Sequence, residues 1–212
     1  MSWLERMRSR PAADPESPKP DASGSAPVER ASPGLSALFD RLKDDGRHSM
    51  LDLGVASNRH LKLFGRYARQ IRFAGLVPWP PRGEALTKAL ETLPPNTEQP
   101  YDVVLAWDIF DRLEPDERSA LVGRLAELTA PGARMYAVVD SSGAATTRPL
   151  ELIAADVDRI SQRAIGPSEP ARPQLLPAHV ERLLAPFEVV HAYSLRIGLR
   201  EYVAQKEAPR GR

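Results

Sequence analysis

The chain contains no cysteine, which removes disulfides, thiolate metal ligands and thiol nucleophiles together. Its four histidines, His48, His60, His179 and His191, show no ligand spacing, so no metal site is expected. No apolar run approaches the ~20 residues that cross a bilayer, and the N-terminus lacks the apolar core of a secretory signal. A cytoplasmic protein is expected. An excess of one charge is also missing: 29 lysines and arginines face 28 acids, and a net charge of +1 gives no electrostatic ground for a nucleic-acid partner. Aromatic residues make up only 6%, yet 212 residues with 42% apolar content suffice for one core.

What is plentiful is proline. The 21 prolines concentrate at 11–33, 78–100 and 167–186, where they mark boundaries rather than interrupt a core. Residues 1–10 place Trp3, Leu4 and Met7 on one side of a short potential helix, and a frayed tail is the preferred reading over an anchor. Pro11 to Pro33 is rich in Pro, Ala, Ser, Asp and Glu and reads as a disordered linker. The expected organisation is a tail at 1–33, one domain at 34–206 and a loose end at 207–212.

Inside the domain, Leu35, Leu38, Phe39 and Leu42 have helical spacing. A short strand over Met50–Leu53 is followed by a small-residue turn. A helix carrying Leu61, Phe64 and Ala68 comes next, capped by Ser57 or Asn58. Gln70–Leu76 alternates as a second strand, and Glu84–Leu93 is helical. Tyr101–Trp107 is apolar in the continuous manner of a central parallel strand. Glu114 opens a helix with Leu121, Leu125 and Leu128 on its buried side, and Met135–Val139 is a further strand. Leu150–Ile160 fits a helix or a β-hairpin almost equally, with helix preferred. A helix at Pro177–Leu184 and strands near Phe187–Tyr193 and Leu199–Lys206 close the chain. The fold class is α/β, a doubly wound and mainly parallel sheet with helices on both faces and a C-terminal antiparallel hairpin.

Leu51-Asp52-Leu53-Gly54-Val55-Ala56-Ser57-Asn58 resembles the first motif of class I S-adenosylmethionine-dependent methyltransferases, with one of that motif's three glycines. Tyr101-Asp102 before Val103–Trp107 resembles the family's fourth strand. The later order of helix, Pro131-Gly132, strand and terminal hairpin extends the resemblance over about 35–206. It implies S-adenosylmethionine as cofactor, with Asp52, Gly54, Ala56, Asn58 and Trp107 as cofactor-binding residues and Asp108 as the candidate catalytic base on a small-molecule substrate. Asp52 could instead cap nearby backbone N–H groups, Asn58 or Asp111 could cap a helix, and Gly54 could serve only its turn.

Two departures stand out. The acid that in this family holds the cofactor's ribose is replaced by Ala74-Gly75-Leu76-Val77, with Glu84 or another distant acid left as a substitute, and no convincing edge strand lies between Leu93 and Glu98. The alternative is therefore a catalytically inactive scaffold or regulatory protein of the same fold, with a protein partner. A nicotinamide-binding enzyme is less well supported, because its Gly-x-Gly-x-x-Gly pattern is absent. Arg148, Arg159, Arg163 and Arg172 could meet an anionic ligand or stand solvated on a variable insertion.

Overall fold

Seven residues with almost no polar interruption, Tyr101 to Trp107, can be satisfied only with sheet on both edges and cover on both faces. The computed structural model puts them there. It describes residues 26–94, 99–144, 146–170, 173–195 and 198–208. In chain order the elements are β1 (Val28–Ala31), α1 (Pro33–Phe39), β2 (His48–Asp52), α2 (Asn58–Phe64), β3 (Ala68–Phe73), α3 (Glu84–Glu91) and β4 (Tyr101–Trp107). A 3₁₀ turn at Ile109–Arg112 leads to α4 (Pro115–Leu128), β5 (Thr129–Asp140), β6 (Thr146–Thr147), β7 (Leu150–Asp156) and β8 (Arg159–Ala164). The chain ends with β9 (Glu169–Pro170), α5 (Pro177–Leu184), β10 (Phe187–Ser194) and β11 (Leu199–Lys206).

The main sheet has six strands in the order β10-β11-β5-β4-β2-β3. The pairs β3–β2, β2–β4 and β4–β5 are parallel, whereas β11 runs antiparallel to both β5 and β10. The crossover from β2 through α2 moves one way along the sheet and that from β4 through α4 moves the other. Right-handed crossovers then place the two helices on opposite faces. Helix α4 packs against α3 and α5, while α1 covers β5, β10 and β11. The reversal of winding falls between β2 and β4, and the crevice beyond their carboxyl ends is the ligand position of such sheets. No strand lies beyond β3 among the described residues.

Three elements differ from the sequence-based expectation. Leu150–Ile160 is not helical: β7 and β8 form an antiparallel hairpin whose tip falls at Val157-Asp158. The expected tail contributes β1, which pairs with β8 to make a three-stranded sheet, so the ordered fold starts ahead of residue 34. Val28–Ala31 offers little apolar surface of its own and is held by strand pairing that only the hairpin can supply. Finally, α2 stops at Phe64, with Gly65 as its C-cap, and Ala68 already belongs to β3. The buried side of α2 is therefore His60 and Phe64, and Leu61 is exposed. The amphipathic segment around Trp3, the outermost residues 209–212 and Arg172 lie outside the described residues.

A buried carboxylate joins the N-terminal elements to the sheet. Glu201 on β11 accepts from the Ser32 hydroxyl at 2.5 Å, the Gly34 N–H at 2.8 Å and the Tyr136 hydroxyl at 2.8 Å. Ser32 also caps α1 through the Leu35 N–H, and its own N–H donates to the Asp158 carbonyl at the hairpin tip. The α1 N-terminus, β1 and the hairpin are thus tied to β11 through one residue. Burial and the adjacent Glu201 carboxylate hold the Tyr136 phenol well above its usual range, so it is a neutral donor.

Candidate functional site

Strand β2 ends in Asp52, which the register sets beside Leu105 of β4 and Phe73 of β3. A carboxylate at that depth must find donors. Asp52 is fully buried and finds three: Oδ1 accepts from the Gly54 N–H at 2.8 Å and from Trp107 Nε1 at 2.6 Å, and Oδ2 lies 2.8 Å from His60 Nδ1. Trp107 reaches this position because its backbone takes φ +53° at the end of β4, a conformation that costs a bulky residue about 1–3 kcal/mol. Its indole lies over His60, with ring centroids 5.2 Å apart and planes 11° from parallel, and is 1% exposed.

The second nitrogen of His60 carries the cluster across to the hairpin. Nε2 lies 3.0 Å from the backbone N of Ala154 on β7. An amide can only donate, so Nε2 is an acceptor, the proton sits on Nδ1, and His60 is neutral with Asp52 as its acceptor. Leu152, Ala154 and Ile160 bury their side chains with this cluster in one continuous core.

The backbone of the glycine turn is also committed. The Gly54 carbonyl accepts from the Gly75 N–H at 3.0 Å, and the Leu53 carbonyl accepts from the N–H groups of Leu76 and Val77. Gly75, at φ +64°, turns Ala74–Val77 back onto the glycine turn, the segment in which the sequence resemblance expects a ribose-binding acid. A Cβ on Gly54 would lie 2.9 Å from Asp52 Oδ1 and 3.3 Å from Trp107 Nε1. Close internal packing therefore requires a glycine there without any ligand. Ser57 caps α2 by accepting from the His60 N–H, leaving Asn58 inside the helix and exposed. Ala56 is exposed on the turn.

Asp108 follows Trp107 and is 3% exposed. Its Oδ2 accepts from Arg112, at 3.1 Å from Nε and in a closer contact with Nη2, while Oδ1 has no partner. Burial raises its pKa, with Arg112 opposing the rise. Asp111, in the 3₁₀ turn, is pushed up to about 8 by burial and the nearby Asp108 and Asp140, while its bond from the Asp140 N–H opposes this. It lines a cavity of about 40 Å³ with Asp140, Arg118 and Gln174.

Between the glycine turn and the hairpin there remains about 40 Å³, bordered by Gly54, Ser57, His60, Trp107, Asp108 and Leu150–Ile153. That is far below the roughly 300 Å³ or more of a small-molecule site. S-adenosylmethionine does not fit this arrangement. Both oxygens of Asp52, both backbone polar groups of Gly54 and one face of Trp107 are engaged internally, and the described residues contain no acid in the Ala74–Val77 segment. They also contain no group of three acids or histidines arranged to hold a metal. Of the insertion arginines, Arg163 pairs with Glu151, and Arg159 lies 3.8 Å from Glu29.

Sequence reasoning assembled Asp52, Gly54, Trp107 and Asp108 at one sheet end but missed His60, Glu201 and the hairpin backbone. His60 and Phe64 at i and i+4 formed a possible second buried face of α2, and that spacing was the available signal.

The chain matches no protein-family model and no curated protein. Solved structures share its fold. Streptomyces venezuelae DesVI is 14% identical with a TM-score of 0.51, over 83% of this chain and 91% of that one. The 1,6-didemethyltoxoflavin-N1-methyltransferase of Burkholderia thailandensis is 19% identical with a TM-score of 0.49, over 82% and 77%. A Methanosarcina mazei S-adenosylmethionine-dependent methyltransferase is 14% identical with a TM-score of 0.47, over 81% and 97%. The fold is that of the class I S-adenosylmethionine-dependent methyltransferases. At these identities the likeness concerns architecture and leaves activity to the site itself.

Proposed function

We propose that this chain is a methyltransferase-fold binding or regulatory module that does not carry S-adenosylmethionine, and that it acts through a protein partner. The observation supporting this reading is the Asp52–Trp107–His60–Ala154 cluster, which occupies the crevice beyond β2 and β4 with the protein's own groups. No methyl transfer is derived from such a site. The cytoplasmic location expected from the sequence belongs to the same proposal.

A second reading has one specific observation in its favour: the remaining cavity is roofed by Leu150–Ile153 of the hairpin rather than by the main sheet. If that roof lifts, the chain is a transferase acting on a small molecule. Asp52, Gly54, Ala56, Asn58 and Trp107 would then meet the cofactor, and Asp108 the substrate. Calorimetric titration at pH 7.5 with S-adenosylmethionine and S-adenosylhomocysteine separates the two. The module reading expects no saturable heat up to millimolar ligand. Saturable binding of either compound, lost in Gly54→Arg, overturns it in favour of the transferase.

A further inference from the structure

We propose that the β7–β8 hairpin is an acid-released flap, latched over the Gly54 end of the sheet by the neutral imidazole of His60. Nε2 can accept the Ala154 N–H only while it carries a lone pair. A second proton on the ring can go nowhere else, because Nδ1 already donates to Asp52. Protonation therefore turns an acceptor into a donor facing a donor, and the bond to the hairpin is lost. The bond to Asp52 becomes charge-assisted at the same moment, so the ring stays seated on β2 while the hairpin is released. What separates this from a uniformly acid-sensitive core is that asymmetry.

The charged groups around the latch are few. From β2 comes Asp52, and from the end of β4 Asp108, held by Arg112; Trp107 brings no charge. From β7 comes Glu151, held by Arg163. Next to His60 on α2, Arg59 reaches across to Glu29 on β1 at 2.7 Å. That pair and the β1–β8 strand pairing remain when His60 is charged, so the hairpin stays hinged on β1 and opens at its β7 edge, where Leu152 and Ala154 are buried. An opened β7 would uncover that apolar strip together with the His60–Trp107 stack.

The inference rests on the closed crevice of the module reading, but its test does not use the cofactor. Amide hydrogen exchange of the full chain is followed from pH 8 to pH 5, corrected for the intrinsic pH dependence of exchange. Protection of the β7 amides, Ala154 first, should fall as pH drops, by up to about tenfold per pH unit, as expected for an opening linked to one proton. The β4 and α4 amides should hold. In His60→Gln, which cannot take up the proton, β7 protection should be flat across the range. Constant β7 protection in the natural chain, or an equal loss in His60→Gln, overturns the latch. Nitrogen-15 shifts of the His60 ring in the natural chain give a second reading that needs no variant: Nε2 must be unprotonated at pH 8 and become protonated as Ala154 loses protection. A protonated Nε2 at pH 8 overturns the proposal, whereas saturable cofactor binding would overturn the module reading and leave these outcomes unchanged.

Discussion

Asp111 is a carboxyl group that the fold holds in its protonated form at neutral pH. Its pKa rises from an ordinary 3.8 to about 8, chiefly through burial. Between those values the native state keeps a proton that the unfolded chain has released, so stability is greatest at acid pH and declines as pH rises toward 8. Asp111→Asn keeps an oxygen for the Asp140 N–H and removes the titration. Because Asp111 is only partly buried, solvent moderates the effect, and the variant should be more stable than the natural chain by roughly 1–3 kcal/mol at pH 9 and nearly equal to it at pH 4. Thermal melts at the two values check this; a gap that does not widen with pH contradicts the assignment. Residue roles of this kind are poorly visible in sequence. The strand–turn–helix pattern showed where Asp52 and Gly54 lie, because local periodicity sets them. His60 was hidden because the buried side of a two-turn helix is chosen by its partner, here a hairpin nearly a hundred residues away in sequence.

Among the elements, the hairpin was the hardest to read. Leu150, Leu152 and Ala154 alternate as a strand does, yet Leu150, Ile153, Ala154 and Val157 also satisfy helical spacing, and pairing with β8, itself paired with β1, decides between them. The strands β2, β4 and β5 were legible from short apolar runs, β10 from the alternation of Phe187, Val189, His191 and Tyr193, and β11 from Tyr202-Val203-Ala204 after Gly198. The piece that joins both groups is Glu201. Glu201→Ala would leave the Gly34 N–H and two buried hydroxyls without their acceptor, costing about 3–5 kcal/mol and loosening β1 and α1 ahead of the sheet. Glu201→Gln should cost less than about 1.5 kcal/mol, since its oxygen can face Gly34 while the hydroxyls of Ser32 and Tyr136 turn to accept from its amide. Denaturant titrations of both variants, with exchange measured over 28–42, test the clamp. Equal losses would mean that Glu201 acts by volume rather than by gathering donors.

For the molecule as a whole, the winding of the sheet was foreseeable from the order of strands and helices, whereas the fate of its crevice was not. That fate depends on one indole in a left-handed backbone position. Trp107→Gly removes both the side chain and the reason for backbone strain. The gain from relaxed φ offsets only part of the roughly 3–5 kcal/mol that loss of a buried tryptophan costs. The space left behind would be bordered by His60 on one side and by Tyr136, whose ring meets the indole edge-on, on another. It would also retain the Asp52 oxygen that had accepted the indole N–H. A cavity with a stacking surface and one acceptor should take up free indole, and binding to the native state raises its stability with ligand concentration. Millimolar indole should therefore raise the melting temperature of Trp107→Gly by a few degrees and leave the natural chain unchanged. A variant that unfolds cooperatively but ignores indole would show that the hairpin collapses into the gap. The crevice would then be kept open only by the tryptophan that fills it, and no rigid pocket would underlie the fold at this end of the sheet.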